Sequence, residues 1–167
     1  MKRWTSISSP TFSESRICKD QSPSFGGAYL LGVVVKKTKA AFRAIREECG
    51  FSQQDIADEA GVAIRAVKFW EDMREERQPP DDVWAFLLAA RGALYQDARE
   101  IAEQIIESVK ATWGKEVQLR YYRTQEQLDT VQLPDTDEPY GYANARTREV
   151  ARLLDKAEIP YTYSYTA

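Results

Sequence analysis

Arg65 and Lys68 are the cations of the stretch AIRAVKFWE, and Ile64 and Phe69 are the large apolar side chains beside them. At helical spacing these four residues and Asp72 share an arc of roughly 140°, while Val67 and Trp70 fall together on the other side. The side with Val67 and Trp70 is a core stripe. The other has the chemistry for reading a major groove, where cationic forks bind guanine edges and apolar groups meet thymine methyls. Ile64, Arg65, Lys68 and Phe69 are therefore candidate base contacts. Arg74 and Arg77, in the loop that leaves this stretch, are candidate phosphate contacts, which fix register without reading sequence.

Such a helix must be held by others, and the preceding residues supply one. Ser52 followed at the third position by Asp55 reads as a capping box for a helix that buries Ile56, Ala57 and Ala60. Gly61 stops it, because glycine takes the left-handed conformation cheaply, and a second helix starts from about Ala63. Upstream, Phe42, Ile45 and Cys49 are spaced by three and four, predicting a helix from Lys37 to Cys49 with Gly50 as its stop.

The spacing of Ser52, Gln53, Ile56, Ala57, Gly61, Val62, Val67, Trp70 and Glu71 resembles the helix-turn-helix of the Xre/Cro/phage-repressor family of DNA-binding regulators. The resemblance implies a bundle of about five helices, with Ala63 to Glu71 as the recognition helix and Gln53 near phosphate. It departs at Ala63, where that family usually has a Ser or Thr cap, a loss of about 1 kcal/mol.

Composition narrows the alternatives. The 167 residues contain no histidine, which removes Ser/His/Asp and Cys/His nucleophiles and the commonest metal ligand together. Two cysteines, Cys18 and Cys49, give neither a disulfide framework nor a zinc site. No pair of acids stands out, so the chain is not read as an enzyme, and no cofactor, metal or small-molecule ligand is implied. The longest apolar run, Gly26 to Val35, falls short of the roughly 20 residues a bilayer requires and lacks the context of a signal peptide. A cytoplasmic location is expected.

The net charge of −3 weighs mildly against a nucleic-acid binder until its distribution is considered. Acids and bases balance from Lys36 to Arg77, and the acidic excess lies downstream of the motif. Lys36, Lys37, Lys39, Arg43, Arg65, Lys68, Arg74 and Arg77 are expected to share one face, which adds Arg43 to the candidate phosphate contacts.

Four segments follow. Residues 1–35, rich in serine and without helical or alternating period, read as a disordered leader. Residues 36–92 carry the helix-turn-helix. In residues 81–113 an apolar stripe of Val83, Phe86, Leu87, Ala90 and Leu94 continues through Ala98, Ile101, Ile105 and Val109, with a break left open at Gly92. Its part over 93–114 is a connecting helix. Residues 115–167 form a small α/β domain in the order strand, helix, helix, strand: VQLRYYR, a helix capped by Thr124 and Gln127, an acidic loop LPDTDEPYGY, a helix with Ala143, Val150, Leu153, Leu154 and Ala157, and a last strand in which Tyr161, Tyr163 and Tyr165 alternate.

Two strands make a marginal sheet alone, so this segment is expected to pair with a second copy, with Tyr161, Tyr163 and Tyr165 at the dimer interface. A stacking platform for single-stranded nucleic acid is the alternative use of the tyrosines. YYRTQEQ and NARTREVARLL are also loosely similar to the ends of small phage and mobile-element regulators, including those associated with anti-CRISPR operons. The expectation is a mainly α, dimeric repressor of transcription that binds double-stranded DNA at an inverted repeat. The competing expectation is a protein-protein interaction module, an antitoxin or phage accessory factor, that reuses the same fold without DNA.

Overall fold

The computed structural model of the chain describes residues 35–112, 116–132 and 137–165. Apart from Val35, the expected leader lies outside the described residues. Among these the protein is mainly helical, with six helices and a small two-stranded sheet: α1 (Lys39–Glu48), α2 (Gln53–Ala60), α3 (Ile64–Glu71), α4 (Asp81–Thr112), β1 (Val117–Tyr121), α5 (Gln125–Asp129), α6 (Tyr140–Lys156) and β2 (Tyr161–Tyr165).

Local chemistry sets the boundaries of the first three helices. Thr38 accepts the Ala41 N–H at the start of α1. At α2 the Asp55 N–H donates to Ser52 Oγ at 3.1 Å and the Ser52 N–H to Asp55 Oδ2 at 2.6 Å, a complete capping box. Gly61 closes α2 with φ +65°, and the Val62 N–H returns to the Ala57 carbonyl at 2.9 Å. Ala63 stands at the N-cap of α3 and makes no side-chain hydrogen bond there.

Phe42, Ile56, Val67 and Leu87 are fully buried where α1 to α4 meet, and Phe42 meets Trp70 and Trp84 edge-on at 6.2 and 5.3 Å. Burying each such side chain contributes about 1.5–3 kcal/mol. Helix α6 enters the same core. Tyr142 stacks on Phe51 at 5.1 Å and donates its hydroxyl to the Ala90 carbonyl at 2.9 Å. Burial pushes the Tyr142 phenol up. Gly50, at φ +74°, and Gly141 face one another so closely that a Cβ on either would overlap the other's carbonyl oxygen.

Helix α4 runs unbroken through Gly92, where the sequence left a break open, and spans about 48 Å at 1.5 Å per residue. Its first half belongs to the core just described. Its second half joins a second core in which Ala98 and Ala102 meet Leu119, Val150, Ala151 and Leu154. The buried positions recur every four residues, Leu94, Ala98 and Ala102, so Ile101 of the expected stripe is instead 37% exposed. Small residues at the crossing let α6 pack along α4.

Strands β1 and β2 pair in parallel, with Val117 opposite Tyr161, Leu119 opposite Tyr163 and Tyr121 opposite Tyr165. Parallel pairing needs a crossover, which α5 and α6 provide. At α5 the Gln127 N–H donates to Thr124 Oγ1, but Gln127 Oε1 accepts from the Arg123 N–H, so the cap is offset by one residue. Tyr140, Gly141 and Tyr142, expected in a loop, form the first turn of α6, where Gln125 Oε1 accepts the Tyr140 N–H at 2.9 Å. Ala157 is an exposed cap residue, and Ala145 and Ala151 are buried instead. Asn144 donates to the Tyr122 carbonyl at 2.8 Å and accepts the Tyr122 N–H at 2.9 Å, fixing the end of β1 on α6.

Candidate nucleic-acid interface

Charges from α1 hold α3 in place. Lys39 is buried and its Nζ donates to the Phe69 and Asp72 carbonyls at 2.9 and 2.8 Å, covering the negative end of the α3 dipole. Arg46 donates through Nε to Glu71 Oε1 at 2.5 Å, through Nη2 to Oε2 at 3.1 Å, and through Nη1 to the Phe51 carbonyl at 2.8 Å. The side chains of this pair are 8% and 5% exposed. Gln53, at the start of α2, donates its amide to Glu71 Oε2 at 2.8 Å. One carboxylate thus ties three helices together. The sequence reading passed over this clamp, although positions 39, 42, 46 and 49 fall on one helical stripe, and a cation on an apolar stripe implies a buried partner.

With the Val67 and Trp70 side buried, α3 turns its other side outward. Arg65 and Lys68 are exposed, and Ile64 and Phe69 are half-buried beside them, Ile64 against the edge of the core. Arg77, from the loop after α3, comes back to the same place. The guanidinium carbons of Arg65 and Arg77 lie over the Phe69 ring, 5.2 and 5.0 Å from its centroid. Among the described residues no carboxylate pairs with Arg65, Lys68 or Arg77.

The remaining candidates are differently placed. Arg43 Nε donates to Glu47 at 2.7 Å. Arg74 grips Asp72 through Nε at 3.1 Å, Nη2 at 2.9 Å and its own N–H at 3.0 Å, and these hydrogen bonds hold the Asp72 carboxyl down to about 2. Exposed pairs of this kind contribute little to stability, so a phosphate can displace either carboxylate. Gln53 is committed to a carboxylate that is almost fully enclosed. The single basic face expected for eight cations does not form: Lys39 is buried, and Lys37 pairs with Asp81 at 2.7 Å. Among the described residues of α3 and the loop after it, Arg65, Lys68 and Arg77 are the cations without an ion pair.

The three tyrosines of β2 lie far from α3 in sequence and on another element. Tyr161 packs against the second core and donates its hydroxyl to Asp155 at 3.2 Å. Tyr163 meets Tyr121 edge-on at 5.8 Å. Tyr163 and Tyr165 are 49% and 65% exposed, and Arg123 lies over the Tyr165 ring at 5.4 Å. In comparisons with known proteins, no family model matches the chain and no curated protein is similar to it in sequence.

Proposed function

We propose that this chain is a sequence-specific, double-stranded DNA-binding regulator of transcription, a repressor of phage or mobile-element type acting in the cytoplasm. In this reading α1 to α4 with α6 are a repressor-like helix-turn-helix bundle and α3 is its recognition helix. Arg65 and Lys68 reach base edges, Ile64 meets thymine methyls, and Arg77, Arg74 and Arg43 contact phosphates. One observation carries the reading: the outward face of α3 presents exposed Arg65 and Lys68 with no acid paired to them, on a helix anchored from behind by Lys39, Arg46 and Glu71. A two-fold dimer through the open edge of the sheet, with Tyr161, Tyr163 and Tyr165 at the contact, would bring two such helices to half-sites of an inverted repeat.

Fluorescence-anisotropy titration against a duplex from the gene's own upstream region and a scrambled duplex, at two salt concentrations, tests it. Preferential binding that weakens with salt is the expected result. A folded protein that binds neither duplex at either salt would favour the interaction-module reading. The capture of Gln53 by Glu71 and of Arg74 by Asp72, which reduces the free phosphate donors, supports that second reading.

A further inference from the structure

We propose that Phe69 is a positioning residue that holds Arg65 and Arg77 over one ring, orienting Arg65 toward a base edge and Arg77 toward phosphate, and that it does not itself contact a base. The inference rests on the DNA-binding reading above and changes the role of a residue within it. Both guanidinium carbons lie within 5.2 Å of one ring centroid, though Arg65 belongs to α3 and Arg77 to the loop that follows. Two exposed like charges held over one ring, neither of them paired with a carboxylate, repel in the free protein. The repulsion is relieved when a polyanion binds. The π face of Phe69 offsets part of that repulsion and limits the rotamers of two long side chains, which lowers the ordering cost of binding. Phe69 is half-buried, consistent with a ring whose exposed part is covered by guanidinium.

A double-mutant cycle of Phe69→Leu and Arg77→Ala, measured by anisotropy on the preferred duplex, tests the proposal. Phe69→Leu should weaken binding about threefold to tenfold with the salt slope unchanged, since no charge is lost. Arg77→Ala should lower the slope by about 1. The double variant should bind better than the two single losses multiplied, what remains of the Phe69→Leu loss being its effect on Arg65, and Phe69→Tyr, which keeps the ring, should restore most of the affinity. Independent, multiplying losses would overturn the proposal. So would a Phe69→Leu loss that disappears when one thymine is replaced by deoxyuracil, because that identifies a direct methyl contact. NMR of the free protein supplies a measurement that needs no DNA: the Arg65 and Arg77 δ-methylene and Nε–H resonances should be shifted by the ring current and revert in Phe69→Leu. Absence of those shifts overturns the positioning role. Absence of duplex binding by the wild-type protein, with the shifts present, overturns the DNA reading and leaves Phe69 as the organiser of the pair.

Discussion

At the scale of single residues, a side chain's worth at the interface depends on what already holds it. Arg65 is exposed and free of acids, so Arg65→Ala is expected to cost about 1–3 kcal/mol on the preferred duplex and to relax preference at one position. Uniform weakening on all duplexes would reassign it to phosphate. Arg74 and Asp72 offer a check on electrostatics that needs no ligand. The Asp72 carboxyl is held near 2 chiefly by the Arg74 side chain, below the ordinary value of about 3.9. The stabilisation is therefore fully present above that ordinary value and is lost as pH falls from there through about 2. An NMR titration should find the depressed value in the wild type and a less depressed one in Arg74→Ala, which loses the guanidinium but keeps the backbone N–H donor.

Elements whose cause is local could be read from the sequence. The Ser52 and Asp55 box, the Gly61 stop and the burial of Val67 and Trp70 each follow from residues a turn or two apart. Contacts between residues distant in sequence could not be read. Tyr140 to Tyr142 looked like loop because α6 borrows its first N–H partner from Gln125, and Lys39 looked like surface charge because its acceptors are carbonyls at the far end of α3. The expected stripe carries Ile101, whereas the close crossing of α4 and α6 buries the small Ala102. The candidate base contacts were legible because they share one short helix; the grouping of Arg77 with Phe69 requires the path of the loop.

Two substitutions at this level separate the kinds of constraint. Replacing Glu71 by Ala leaves the buried Arg46 guanidinium with only the Phe51 carbonyl and a long 3.4 Å contact to Glu47, and should cost up to about 3–5 kcal/mol in denaturant unfolding. The glycines differ among themselves. Gly61→Ala meets nothing nearby and should cost only the left-handed backbone penalty, about 1–2 kcal/mol. Gly141→Ala drives a methyl into the Gly50 backbone and should cost more, with loss of the Phe51–Tyr142 stack visible in near-ultraviolet circular dichroism. Equal effects would show that α6 can move aside.

At the scale of the whole molecule, two helices belong to both cores. Helix α4 passes from one to the other without interruption, and α6 places Tyr142 and Ala145 in the first and Val150, Ala151 and Leu154 in the second. A dimer formed through β2, as proposed, would therefore connect its two copies of α3 through elements attached to both cores.

The unbroken passage of α4 through Gly92 joins the two cores by one continuous helix, which acts as a strut between them. DNA rotates by about 34° for each base pair added between half-sites, and if the proposed dimer holds its two copies of α3 on such struts, they cannot follow that rotation. Inserting one base pair into the spacer should weaken binding, and inserting five should reduce it to the non-specific level. Inserting ten restores the angular phase but moves the far half-site a full turn away, beyond the strut's fixed reach, so affinity should stay low. Recovery at ten would mean that the struts behave as a tether.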